Sequence, residues 1–374
     1  MSQYKFLKRI GRGCLAKAGG VARKINNPVL NRVADVGRQF IQAEPMDLIR
    51  ERFEHRYNTA ATLSPARIHN MDGASKCLDA IVMQGPVTSD TVKSVITLRA
   101  LNPDKFIIVS TWENSPEKLI DTLDCYCDKI VTSPIPETPG GQHRNYQKVS
   151  THAGICAARK LGAEYVLKVR TDCCVTAQHV FLMYRHIASR LDNSACENLN
   201  CRGRIFVNQT YTKKYVPYHI SDIVMLGYAE DLERYWNAPI DSRPLNITDS
   251  SWVNHPLETI GYNGYTPECY FARQYAESVG WKLLDTLDDY WRLVRDVFAV
   301  MDDSWFDLIW FKKTIPIQPL PMEELFSHAV WQSIYMGLAP NLALTSIDIK
   351  GARRRGAKTS IDAEAFVNAM RKSV

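Results

Sequence analysis

The chain has 374 residues, 45% hydrophobic and 23% charged, an ordinary balance for a globular protein with a sizeable core and long enough for one large domain with additions or for two. No internal repeat or low-complexity tract is visible, which argues against a solenoid or a disordered scaffold. The formal net charge is +6, but residues 1–50 hold ten Lys and Arg against three acids, so everything after them sums to −1; a nucleic-acid-binding domain would carry its basic stripe across the folded body.

That basic segment opens with Tyr4, Phe6, Leu7, Ile10 and Leu15 set among Lys5, Lys8, Arg9, Arg12 and Lys17 at roughly helical spacing. It reads as an amphipathic surface lying on anionic lipid, or as an arm packed on the body; Gly11, Gly13, Gly19 and Gly20 weaken a continuous helix. No run approaches the ~18 apolar residues of a membrane span, and no signal-peptide pattern opens the chain. The ten cysteines include Cys125 and Cys127, one residue apart, and the adjacent Cys173 and Cys174. Neither spacing suits a zinc knuckle, and reduced thiols in the cytoplasm are the simplest reading. The sequons at Asn208 and Asn246 read as chance there. The expected location is cytoplasmic, with peripheral contact at the inner face of the cytoplasmic membrane.

A β/α alternation begins near residue 78. Leu78–Gln84 reads as a buried strand closed by Gly85-Pro86, and 89–100 as a helix with Ser89 as its cap. Phe106–Thr111 and Lys129–Thr132 read as further strands on either side of a helix at Pro116–Leu123. The loop Ser133–Gln142, rich in Pro and Gly, is long enough to be functional. Helix 145–160 and strand Glu164–Val169 follow, then strands Arg204–Asn208 and Ile220–Leu226 and helices Glu230–Trp236 and Glu268–Val279. The tail carries a basic knot at Arg353-Arg354-Arg355 and a helical pattern after Ile361. Near-continuous apolar strands between amphipathic helices mean a mostly parallel sheet covered on both faces. Ligands are expected at the carboxyl ends of its strands.

Four places there carry chemistry. The strand Tyr165–Val169 runs into Arg170-Thr171-Asp172. A carboxylate at a strand end can hold Mg²⁺ or Mn²⁺ against a diphosphate, or form a plain salt bridge. Glu268 follows Pro267 at a helix N-terminus, where the dipole favours its ionised form; it suits a general base, and is also an ordinary first-turn acid. His219 and Asp222 flank the start of a buried strand and fit acceptor hydroxyls, a role beside a metal, or a satisfied polar pair. Asn145 and Gln147 enter a helix behind Arg144; they fit a nucleotide base or phosphates, while Asn145 also fits a helix cap.

Together the stretches Ile81–Pro86, Ser110–Glu113, Asn145–Thr151, Tyr165–Asp172, Pro217–Asp222 and Pro267-Glu268 resemble the WavE family of bacterial lipopolysaccharide-synthesis proteins, regarded as glycosyltransferases. The resemblance spans roughly 78–312. It implies a GT-A-like, Rossmann-type α/β fold, with a mixed, mostly parallel sheet flanked by helices. It leaves out the basic N-terminal segment and much of the tail, so the chain is expected to divide into a basic, membrane-associating extension at 1–75, a GT-A-like transferase domain at 76–315 and a helical tail at 316–374. It implies a nucleotide-sugar donor, a glycolipid or polysaccharide acceptor, and no nucleic acid. Asp172 matches the last acid of an Asp-x-Asp metal motif, so a divalent cation is its implied cofactor; Arg170 stands at the first position and puts that metal in question. The stretch from Glu268 to Gly280-Trp281 is similar to an acidic-base motif, making Glu268 the base, with Asp222 as a second catalytic carboxylate. Gln84, Gly85, Thr111, Glu113, Asn145, Gln147, Arg170 and His219 are the implied substrate and nucleotide contacts. Two other readings stand beside this one: a nucleotidyl- or phosphosugar transferase, for which Gln84-Gly85-Pro86-Val87 is a poor triphosphate loop, and a non-catalytic membrane-associated scaffold.

Overall fold

The computed structural model describes residues 78–214, 216–243, 261–311 and 325–337, and before them 53–54, 56–59 and 61. The amphipathic pattern at 4–17, the sequon at Asn246 and the tail signals after residue 337 lie outside the described residues.

The first half alternates as its sequence pattern requires: β1 (Asp79–Gln84), α1 (Ser89–Leu101), β2 (Phe106–Trp112), α2 (Glu117–Asp124), β3 (Lys129–Ser133), α3 (Arg144–Lys160) and β4 (Tyr165–Arg170). Every residue of β1 is buried, as expected of a strand covered on both faces. Thr88, not Ser89, caps α1: its hydroxyl accepts from the Thr91 N–H, and Thr91 Oγ1 accepts from the Thr88 N–H at 2.9 Å, a reciprocal capping box. Gly154 lets α3 lie against the sheet, because a Cβ there would stand 2.6 Å from Val82 Cγ1 and 2.9 Å from Ser110 Cβ.

The second half contains β5 (Cys173–Val175), α4 (Val180–Ala188), α5 (Ser194–Glu197), β6 (Ile205–Asn208), β7 (Val224–Tyr228), α6 (Ala229–Trp236), α7 (Pro267–Ser278), α8 (Leu287–Val297), β8 (Phe298–Met301), α9 (Asp303–Phe306), β9 (Leu308–Trp310) and α10 (His328–Tyr335). The expected strand at Ile220–Leu226 starts late: residues up to Ile223 form a buried loop, and pairing begins at Val224.

Seven strands form one sheet in the order β3-β2-β1-β4-β7-β6-β8. β7 pairs antiparallel with both β4 and β6, while β6 pairs parallel with β8. Only β7 is therefore reversed, and the expected mixed, mostly parallel sheet flanked by helices is the one observed. β5 and β9 make a separate antiparallel pair just past β4. α10 closes the β8 end, where Trp331 Nε1 donates to the carbonyls of Val294 and Phe298 at 3.1 and 2.9 Å.

Candidate active site

The reversal of β7 decides what meets at the carboxyl edge. β1, β2, β4, β6 and β8 all end there, and β7 begins there. Gln84 and Gly85 at the end of β1, Arg170 and Asp172 at the end of β4, and Asp222 two residues before β7 therefore share one rim. Glu268 reaches it from the first turn of α7, which is capped by Thr266.

Asp172 is already engaged. Arg170 donates from Nε to Oδ1 at 2.9 Å and from Nη2 to Oδ2 at 2.7 Å. Trp310 Nε1 adds a 3.3 Å bond to Oδ2, and the Arg170 guanidinium lies 5.8 Å from the Trp310 ring centre. Burial works against the Arg170 charge, but the hydrogen bonds and charge of Asp172 outweigh it and hold the group well above its ordinary value. A hard divalent cation needs several oxygen donors. Here one carboxylate has both oxygens on a guanidinium, and a permanent cation occupies the position of the first acid. The donor set does not fit the expected metal, and Asp172 is held as the partner of Arg170 instead.

Beside this pair lies a buried polar cluster. Lys168, with no exposed surface, donates to the carbonyl of Asp222 and sits 4.8 Å from the Trp236 ring centre. Burial pulls its amine down to about 8, against the pull of Asp222. Asp222 is only 3% exposed. Burial raises its carboxyl; Lys168 lowers it, and Glu268 raises it further. His219 is pushed well below the usual imidazole range by burial and by the Lys213 charge, so its ring is neutral. Its Nδ1 stands 2.7 Å from the Tyr211 carbonyl. A carbonyl only accepts, so the proton is on Nδ1 and Nε2 carries a lone pair. That lone pair faces Glu268 Oε2 at 3.8 Å.

Two networks hold this cluster. Asp289 accepts from the Tyr218 hydroxyl at 2.7 Å and from Trp281 Nε1 at 3.1 Å, tying the loop that carries His219 to α8 and giving Trp281 a structural role. Arg144, wholly buried, pairs with Asp241 at 2.9 Å and donates to the carbonyls of Gly141, Gly264 and Tyr265, fixing the turn before Glu268.

The remaining expected contacts divide. Asn145 uses its amide on backbone groups: Nδ2 donates to the Thr138 and Asp241 carbonyls at 3.0 Å, and Oδ1 accepts from the Asp241 N–H at 2.9 Å. It neither caps α3 nor has a group left to grip a nucleotide. Gln84 Nε2 donates to Ser150 Oγ at 3.0 Å, and Thr111 Oγ1 lies 2.9 Å from Ser115 Oγ. Glu113 is exposed just past β2. Gln147 Oε1 is buried with no partner among the described residues. Gly85 has φ +130°, and a Cβ there would stand 2.8 Å from Thr171 Oγ1, so glycine lets the ends of β1 and β4 approach. Asn208 of the first sequon is fully buried, with Nδ2 donating to Asp303 Oδ1 at 3.0 Å, which removes it as a glycan acceptor in the folded state.

Lys168, Tyr211 and Trp310 belong to the site and escape sequence reading. The signal for Trp310 is the apolar run Leu308–Phe311, short enough for a strand; β9 pairs Trp310 with Cys173, next to Asp172.

No curated protein matches the chain. Among solved structures, a 4-diphosphocytidyl-2C-methyl-D-erythritol synthase from Anaerococcus prevotii is similar at 14% identity, over 48% of this chain and 83% of that one, with a TM-score of 0.29. A glycosyltransferase involved in glycosylation of the major capsid of PBCV-1 is similar at 13% identity, over 64% and 96%, with a TM-score of 0.28. A family described as WavE lipopolysaccharide synthesis matches residues 80–304, which span the sheet from β1 through β8 and every group of the cluster except Trp310. The chain belongs to this WavE lipopolysaccharide-synthesis family.

Proposed function

We propose that the protein is a glycosyltransferase, moving a sugar from a nucleotide-sugar donor to a hydroxyl of a lipopolysaccharide core or another surface-polysaccharide acceptor. The observation that carries this reading is the pair of acceptor atoms, His219 Nε2 and Glu268 Oε2, facing each other at 3.8 Å. Neither can donate to the other while Glu268 is ionised. Both are satisfied by donors between them, and the hydroxyls of a sugar are such donors.

In this reading an acceptor hydroxyl donates to Glu268, which takes its proton as the oxygen attacks the anomeric carbon of the donor. The new glycosidic bond forms as the bond from that carbon to the diphosphate oxygen breaks. Attack from the face opposite the leaving group inverts the anomeric centre. His219 orients the acceptor through Nε2. Arg170, its charge fixed by Asp172 and its plane packed by Trp310, offsets charge on the departing diphosphate. Asp222 and Lys168 lie beneath these groups as a supporting pair rather than as a second base. Gln147 Oε1 is the amide acceptor left for the nucleotide.

Family membership supports the place in lipopolysaccharide synthesis, and the edge position of the cluster supports ligand binding there. The transferase domain at 76–315, a basic extension that touches anionic membrane and a location at the inner face of the cytoplasmic membrane belong to the same proposal. No described helix is long and apolar enough to cross a bilayer.

The test is a panel of nucleoside diphosphates and monophosphates read by thermal shift, followed by sugar transfer with the donors of those that bind. Stabilisation by a diphosphate and its loss in Arg170→Ala are expected. Stabilisation by triphosphates alone would favour a nucleotidyltransferase and remove this reading.

A further inference from the structure

A second cluster of chemistry-bearing side chains lies away from the carboxyl edge, where α3 packs on α6. His152 and Cys156 are four residues apart on α3, one turn along the same face. They stand roughly two and three turns past its first residue. Glu233 comes from α6. Cys156 Sγ is 3.7 Å from His152 Nε2, 3.8 Å from Nδ1 and 3.5 Å from Glu233 Oε1. One donor atom from each residue lies within 4.8 Å of the other two. All three side chains are half-buried.

We propose that His152, Cys156 and Glu233 bind a borderline transition-metal cation of the Zn²⁺ class, which clips α3 to α6. In a tetrahedral zinc site with Zn–S near 2.3 Å and Zn–N or Zn–O near 2.05 Å, the nitrogen and oxygen donors stand about 3.3 Å from each other and each about 3.6 Å from the sulfur. The separations from Cys156 have that value before any metal is considered. One thiolate, one imidazole and one carboxylate suit zinc rather than a hard ion such as Mg²⁺. Three protein donors leave the fourth position to water, as the half-exposed flank permits.

The neighbours fit this assignment. Arg159 donates to Glu233 Oε2, turning Oε1 towards the thiol; an outer partner of this kind orients a ligating carboxylate. Burial and the Lys148 charge hold His152 below the usual imidazole range, despite Glu233, so the ring is neutral and able to ligate. Burial and Glu233 push the Cys156 thiol up, while Lys160 and Arg159 pull it down. Binding therefore releases a proton: the S–H bond breaks, the metal–sulfur bond forms, and H⁺ passes to solvent. The thiolate and carboxylate then balance the two charges of the cation. The basic groups Lys148, Arg159 and Lys160 weaken its attraction but favour the deprotonated ligands.

The experiment uses the full chain after dialysis against a chelator, with Zn²⁺ alone as titrant in calorimetry and Co²⁺ as a spectroscopic stand-in. Wild type is expected to bind one Zn²⁺ per chain at this site, and Co²⁺ to give thiolate-to-metal charge-transfer absorption in the near ultraviolet. Cys156→Ser is expected to abolish that absorption, and both Cys156→Ser and His152→Gln to weaken Zn²⁺ binding at least tenfold. Circular dichroism of the two variants should match wild type, since neither side chain is fully buried. Absence of stoichiometric Zn²⁺ binding to wild type would leave only a hydrogen-bonded helix contact and overturn the proposal. So would binding of unchanged affinity in both variants, which would place the metal on other thiols such as the exposed Cys125.

Discussion

Arg170 grips Asp172 two residues further along the chain, with both carboxylate oxygens in one fork at 2.9 and 2.7 Å. A bidentate pair of this kind is among the stronger charge-assisted contacts. It puts a permanent cation where a metal motif would have its first acid. The expected outcome is that Mg²⁺ neither stabilises the wild-type protein nor accelerates transfer. Arg170→Asp removes the cation and completes an Asp-x-Asp; it should gain a Mg²⁺-dependent rise in melting temperature in the presence of a nucleoside diphosphate. Wild-type activity abolished by a chelator and restored by Mg²⁺, but not by Zn²⁺, would show that Arg170 gives way to a metal.

Glu268→Gln keeps the shape of the side chain and removes its basicity. General-base catalysis contributes about 10²- to 10⁴-fold, so kcat should fall by that order with the donor KM nearly unchanged. His219→Ala should instead raise the acceptor KM, because the ring orients rather than takes the proton. Steady-state kinetics on one acceptor separates the two. Equal losses in kcat alone for both variants would contradict this division of labour.

How much of this was readable in the sequence depends on where each signal sits. The β/α alternation from Asp79 to Arg170 is carried by uninterrupted apolar strands, and each expected element there appears within a few residues. Arg170 and Asp172 could be named because they close such a strand, Glu268 because it opens a helix, and His219 and Asp222 because they stand just ahead of a strand. What was missed depends on tertiary contact. Lys168 sits inside a strand, and only burial of both faces distinguishes it from a surface lysine. Asn145 looked available because a sequence does not reveal the backbone of residue 241 folding across it. α8 went unread although its buried residues Leu287, Tyr290, Trp291, Leu293, Val294 and Val297 follow a helical period. Its run continues directly into β8 at Phe298, with no Gly or Pro to mark the change.

Lys168 should leave a signature in stability against pH. Its amine is held down to about 8 in the folded chain, against an ordinary 10.5. Between those values the unfolded chain binds a proton that the folded chain does not, so stability rises with pH across that window. Below about pH 8 both states carry the charge and the cost of burying it is fully present. Each pH unit of the gap is worth about 1.4 kcal/mol, and the whole gain is on the order of 3 kcal/mol. Lys168→Met lacks the group, so wild type should gain on it by that amount as pH rises from about 8 to 10.5. Urea unfolding at four or five pH values measures the difference. Parallel profiles would mean that the buried amine keeps its ordinary affinity for protons.

The Arg144 clasp makes a stability prediction that also reaches the candidate active site. The side chain has no exposed surface, pairs with Asp241 and donates to three carbonyls, two of them at Gly264 and Tyr265 just before α7. Arg144→Met fills the space but takes the guanidinium from those carbonyls, of which Gly264 keeps Arg243 Nη2 at 3.2 Å; Asp241 still has Arg243 at 2.9 Å. Breaking one side of a buried ion pair costs about 3–5 kcal/mol when the other charge is stranded. With Arg243 in place the loss should lie near the lower end, on the order of 3 kcal/mol. Arg144→Lys should recover little, since an ammonium cannot span a fork of carbonyls. The turn at 264–266 positions Glu268, so kcat should drop in both variants even where the protein remains folded. Urea unfolding together with limited proteolysis in that turn tests both halves. A loss below about 0.5 kcal/mol, the range of ordinary surface changes, would mean that the turn is held by its own hydrogen bonds rather than by Arg144.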